Sequence, residues 1–96
     1  MADYILFMHD DVVSEDQSSW DAYLHVLKQN GAFEGGSEIG SGICIRKGAA
    51  AADITKHVVG YIRVTAATIE EIKSFLIGNP HFEAGGTIEI RELARS

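Results

Sequence analysis

Three features of the chain predict an α+β fold. Residues 57–93 read strand, helix, strand with little slack between them. The opening does the same less sharply: Tyr4-Ile5-Leu6-Phe7-Met8 is a continuous apolar run, and an amphipathic stripe follows it. Turn chemistry at Asn30-Gly31, Gly78-Asn79-Pro80 and Gly85-Gly86 then falls between the segments, where left-handed caps and proline end regular structure.

Taken in order, the apolar run 4–8 predicts a central strand, because a strand covered on both faces has no need to alternate. His9-Asp10-Asp11 ends it. Ser14-Glu15-Asp16-Gln17 has the spacing of a capping box, and Trp20, Tyr23, Leu24 and Leu27 fall at i, i+3, i+4, i+7, the stripe of a helix that packs on a core. Gly35-Gly36-Ser37 and Gly40-Ser41-Gly42 bracket a link, read as a hairpin or a kinked edge strand. Ile43-Cys44-Ile45-Arg46 has the pattern of the second strand, and 47–56, with alanines at 49–52, is expected to be a loop. His57 to Val64 is β-branched and aromatic, a third strand. Thr68-Ile69-Glu70-Glu71 is a second capping box, with Ile69, Ile72 and Leu76 on one stripe and Phe75 beside it. Thr87-Ile88-Glu89-Ile90-Arg91 alternates strictly and predicts the last strand. The order βαββαβ predicts a ferredoxin-like sandwich, an antiparallel sheet with two helices on one face.

Ninety-six residues suit one domain, spanning 1–96. Residues 1–38 hold eight acids against Lys28 alone, while 39–96 hold six acids and seven bases, for a net charge of −6. An acidic chain without a basic stripe is a poor nucleic-acid ligand, since phosphate neutralisation supplies most of that affinity. No apolar run reaches membrane-spanning length. With Cys44 as the single cysteine and no basic region ahead of the first apolar stretch, a cytoplasmic protein is expected.

Four stretches together resemble the YCII-related family, in its DGPF-type branch: Tyr4-Ile5-Leu6-Phe7-Met8-His9; Trp20-Asp21-Ala22-Tyr23-Leu24 running to Gly31; Gly60-Tyr61-Ile62; and Gly85-Gly86-Thr87-Ile88-Glu89-Ile90-Arg91. The resemblance covers nearly the whole chain. It implies a ferredoxin-like subunit and a dimeric α+β barrel, and some relatives carry out lyase or dehalogenation-type chemistry. Two departures stand out. The region expected to hold Asp-Gly-Pro-Phe is Gly48-Ala49-Ala50-Ala51-Ala52-Asp53, and where relatives pair a helix histidine with an aspartate before proline, this chain has Asn79 before Pro80 and Trp20 or Asp21 near the helix position. His25 is about one turn away.

Side-chain parity picks out candidate site residues. If Ile62, Val64, Ile88 and Ile90 face the helices, Tyr61, Arg63, Glu89 and Arg91 share the uncovered face. There the arginines would position a carboxylate ligand by paired hydrogen bonds, or pair with Glu89 across a dimer. His9, at a strand end beside two aspartates, is the candidate proton acceptor. His57 begins the third strand and His81 follows Pro80; each stands either at a pocket rim or, as isolated loop histidines usually do, simply exposed. Trp20 and Tyr23 are expected in the core, and Cys44 is expected to act as a small apolar residue. The glycine-rich stretch lacks the Gly-Lys-Ser/Thr ending of a phosphate loop. No His-x-His or His-Glu-x-x-His suggests a metal, and no cofactor is expected. The function expected is binding or transformation of a small organic, possibly anionic, substrate between the sheet face and a dimer partner, with lyase- or isomerase-like chemistry if the protein is an enzyme. The rival is a homodimer whose open face serves only the interface.

Overall fold

The structure is a computed structural model that describes residues 1–14 and 19–94. Four strands form one antiparallel sheet, with three helices: β1 (Ala2–His9), α1 (Trp20–Gln29), β2 (Phe33–Glu38), β3 (Val58–Ala66), α2 (Ile69–Phe75), α3 (Pro80–Glu83) and β4 (Ile88–Leu93). The spatial order is β2-β3-β1-β4. Each β-α-β unit therefore crosses over one strand, β1 to β2 across β3 and β3 to β4 across β1.

β1 lies between β3 and β4, the central place expected of its apolar run. Tyr4, Leu6 and Met8 point to the helix side and are buried. They pair with Val64, Ile62 and Gly60 of β3, and Leu6 and Met8 face Ile90 and Ile88 of β4. Tyr23 and Leu27 from α1 and Ile72 and Leu76 from α2 close the same core, so both longer helices lie on one face. Alternation places Ile5 and Phe7 on the other face with Tyr61, Arg63, Glu89 and Arg91, as the parity argument requires.

The helix ends follow local chemistry. Ser19 caps α1, its hydroxyl accepting from Ala22 N at 3.2 Å. The capping box expected at residues 14–17 falls largely outside the described residues; Ser14 itself donates to the Ala84 carbonyl. Thr68 caps α2 by accepting from Glu71 N, and Glu71 reaches back to Ala67 N. Ile72 and Leu76 are buried as expected, but Ile69 is 45% exposed, because the first turn of α2 overhangs the core. Pro80, expected only to stop α2, opens α3, where it has no N–H to satisfy, and the next two free donors are served by Asn79: its Oδ1 accepts from His81 N and Phe82 N at 2.9 and 3.0 Å.

The second strand departs from expectation. It is Phe33–Glu38, not Ile43–Arg46. Residues 33–38 leave α1 after a three-residue turn with Gly31 at φ 71°, so they meet the β3 edge first. Glu34 is an extra residue in the ladder: Phe33 opposes Val64 and Gly35 opposes Arg63, with Gly35 at φ 138°. Gly36 passes so close to β3 that a Cβ there would lie 2.7 Å from the Tyr61 carbonyl oxygen. The glycines that suggested a link are thus what lets a kinked edge strand form. Beyond Ile39, whose N–H donates to the Val59 carbonyl, the chain leaves the sheet and returns near His57. The expected loop at 47–56 belongs to this larger excursion.

Leu6 is fully buried between both helices. Leu6→Ala is expected to lower stability by about 3 kcal/mol, from lost transfer energy plus a cavity, measured by urea unfolding at fixed protein concentration. A loss under ~1 kcal/mol would mean the site collapses freely and would contradict a close-packed core there.

Candidate functional site

Two regions carry chemistry, one on each side of the sheet. On the open face, alternation in β1 and β4 brings His9 and Glu89 together. His9 Nε2 lies 2.9 Å from Glu89 Oε1, and Arg91 Nη1 donates to Glu89 Oε2 at 3.3 Å. A carboxylate only accepts, so His9 Nε2 carries the hydrogen and, in the neutral ring, Nδ1 keeps its lone pair. The carboxylate that orients His9 is therefore Glu89, eighty positions away, and not its neighbours Asp10 or Asp11. The hydrogen bond from His9, and secondarily that from Arg91, holds the Glu89 carboxyl below its usual range.

The register explains the rest of this corner. His9 pairs with Val58 although Met8 pairs with Gly60, so Val59 is an extra residue in β3. This shift sets the His57 ring edge-on to His9, with centroids 4.9 Å apart. Asp11 folds back on β4: its carboxylate accepts from Thr87 N at 2.8 Å and from the Thr87 hydroxyl at 2.6 Å, and these two bonds lower its pKa. Among the described residues, no group of three or more His, Cys, Asp or Glu is placed to hold a metal ion.

Of the residues expected to bind a ligand, Tyr61 lies beside Phe7 and Arg63 beside Ile5. Arg91 is already engaged by Glu89 within the chain, while Arg63 makes no ion pair among the described residues. The two arginines flank Ile5 from opposite strands rather than converging on a common partner.

A cavity lies elsewhere, at the helix side of the sheet where β2 ends. It has a volume of about 510 Å³, and Met8, Trp20, Leu24, Phe33, Ile62 and His81 line it, with Glu38 and Tyr61 also on its wall. Trp20, expected in the core, is instead 38% exposed here, because α1 begins at this residue and overhangs the cavity. Its ring meets Tyr23 edge-on at 5.9 Å. Tyr23 does enter the core; its hydroxyl donates to the Phe75 carbonyl at 2.7 Å, and burial raises its pKa. The Asn79 amide nitrogen, fully buried, has no partner of full hydrogen-bond geometry among the described residues, yet lies close enough to the Tyr23 oxygen to oppose that rise in part. His81 Nε2 meets the His9 carbonyl. A carbonyl only accepts, so His81 also carries its hydrogen on Nε2, leaving Nδ1 as acceptor in the neutral ring. The cavity is not legible in the sequence because Trp20 and Leu24 share the spacing of core residues, and because the strand pattern of Ile43 to Arg46 draws the second strand away from Phe33–Glu38.

No family model, curated protein or solved structure matches this chain. No helix among the described residues is long and apolar enough to cross a membrane.

The Asp11 contact has a defined pH signature. A folded-state pKa below the ordinary 3.8 means stability that is present above 3.8 and is lost as pH falls through the lower folded value. The Thr87 amide resonance is expected to titrate with a midpoint below 3.8, and Thr87→Val should move the Asp11 midpoint back towards it. A wild-type midpoint at or above 3.8 would show that the contact does not persist in solution.

Proposed function

We propose that this chain is a binding protein for a small, largely apolar organic molecule, held in the cavity between the start of α1 and the ends of β2 and β3. The cavity carries the reading. Its volume of about 510 Å³ falls in the usual range for small-molecule sites, roughly 300–1,000 Å³, and its wall has the usual character, aromatic and aliphatic with a few polar groups. Trp20 and Phe33 supply flat faces for a ring, and His81 supplies one acceptor. Among the described residues no lysine or arginine lines the cavity and Glu38 stands at its wall, so an uncharged ligand fits better than the anion suggested by the arginines of the open face. Chemistry on a bound ligand would fall to His81, the one imidazole on the wall among the described residues.

The sheet order and two crossovers favour a ferredoxin-like domain, in keeping with the YCII-related resemblance, and the open face favours a homodimer. Ile5 and Phe7 lie on that face only half-covered, with Tyr61 next to Phe7. A two-fold copy would cover them, bringing Arg63, which lacks an ion pair among the described residues, towards the partner's acids. In this reading His9, Glu89 and Arg91 are a paired polar rim of the interface.

Trp20 is the single tryptophan, so its emission reports on the cavity. A neutral aromatic probe, 2-naphthol, is expected to change Trp20 fluorescence saturably, and Leu24→Glu should weaken that binding at least tenfold with the circular dichroism unchanged. Equal binding by the variant, or no saturable change in the wild type, would remove the cavity as a ligand site.

Phe7→Asp is expected to weaken self-association at least tenfold in sedimentation equilibrium, because it places a charge in the centre of the proposed apolar contact. Unchanged association would show that the open face is not an interface.

A further inference from the structure

Residues 40–57 leave the body of the molecule and return without joining the sheet. Throughout this stretch only Ala51 is less than exposed. The outgoing limb turns at 47–49, where Gly48 has φ 77°, and the two limbs approach where a Cβ on Gly42 would lie 3.7 Å from Ile54 Cδ1. The arm lengthens the molecule to 47 Å and raises the radius of gyration to 14.9 Å, against about 12.5 Å for a compact chain of this size. At its outer part Ile43 and Ile45 are 81% and 84% exposed. Their β-branched alternation is a strand pattern, yet they join no strand pairing among the described residues.

The outer edge of β2 has the complementary deficiency. β2 is the last strand of the sheet on that side, so one row of its backbone groups is unpaired. Charge supports the match. β2 carries Glu34 and Glu38 with no base, whereas residues 39–57 carry Arg46, Lys47 and Lys56 against Asp53 alone.

We infer that the arm is a clasp between two copies of this chain: the outgoing limb of each adds as an antiparallel strand to the outer edge of β2 of the other. β2 runs directly into the arm, so one two-fold axis near Gly40 accomplishes both pairings. Residue numbers opposite each other then sum to 80, which sets Glu34 against Arg46 of the partner subunit and leaves Gly42 opposite Glu38. Ile43 and Ile45 fall opposite Ser37 and Gly35 of the partner subunit, over small residues. Like charges do not meet. Every contact occurs twice.

The clasp deepens the homodimer reading but uses a different surface. Its two-fold is perpendicular to the sheet, whereas that of stacked open faces lies parallel to it. With the two axes intersecting, both contacts together close a four-subunit assembly, near four times the chain mass of 10.4 kDa.

The test is cysteine pairing in a Cys44→Ser background. Opposed residues in an antiparallel ladder have Cα atoms about 4.5–5.5 Å apart, within disulfide range. Within one chain, positions 34 and 46 are separated by an extended segment of roughly 40 Å. Glu34→Cys with Arg46→Cys is expected to give a covalent dimer on mild oxidation, and neither substitution alone should do so. Adding Cys44→Pro and Ile45→Pro to the wild-type arm, at two exposed positions outside the sheet, should halve the sedimenting mass; Phe7→Asp should halve it by the other surface and leave the cross-link intact. Absence of the cross-link, or a mass indifferent to the prolines, overturns the clasp. A cross-linked species whose mass is indifferent to Phe7→Asp instead overturns the open-face contact and keeps the clasp.

Discussion

Pairing of β1 with β3 on one side and β4 on the other is the constraint on which the remaining structure depends. It fixes the parity of three strands at once. Leu6 is set between Ile62 and Ile90, and burying that row against Tyr23, Leu27, Ile72 and Leu76 commits both longer helices to one face. A slip of one residue would carry the entire row to the open side. The same pairing delivers His9 to Glu89 and Asp11 to Thr87, contacts between residues nearly a chain length apart. The polar corner is thus a by-product of the apolar register.

Irregularity in the described ladder falls between β3 and its two neighbours, and both the polar corner and the cavity adjoin it. The extra residue at Val59 turns the end of β3 and brings His57 to His9. The extra residue at Glu34 bends β2 away from the start of α1 and leaves space bounded by Trp20, Leu24 and Phe33. A side chain at 36 would approach β3 too closely for the pairing observed, and one at 35 would have space but would sit on a backbone with φ 138°, which side-chain-bearing residues rarely adopt. The glycines that allow the cavity also leave this edge with few side chains to guard it, which is why an unpaired strand of a second copy suits it.

Buried polar groups show the cost of the tight connection between α2 and β4. Asn79 is fully buried, spends its oxygen on the first two free N–H groups of α3, and leaves its nitrogen beside Tyr23 without a geometric partner. An aspartate at this position could serve the same cap but would carry a charge into the core beside a phenol whose pKa burial already raises. The amide is the form compatible with that packing.

Most elements were legible in the sequence because their signals are local and mutually consistent. The capping hydroxyl of Thr68, the alternation of β4, the stripe of Tyr23 and Leu27 and the parity that separates Ile62 and Val64 from Tyr61 and Arg63 all depend on neighbours within a few residues. What tertiary structure alone decided was pairing. Ile43-Cys44-Ile45 has the better strand composition, yet Phe33–Glu38 is the strand, because a short turn from α1 brings it to the β3 edge first and Gly36 permits the approach. Trp20 has helical core spacing, yet stands at a cavity mouth, because the core ends one turn later. His9 is followed by two aspartates, yet Glu89 is its partner. Strand propensity and helical period specify what a segment can do; which partner arrives, and where the core stops, are set by contacts between residues that the sequence holds far apart.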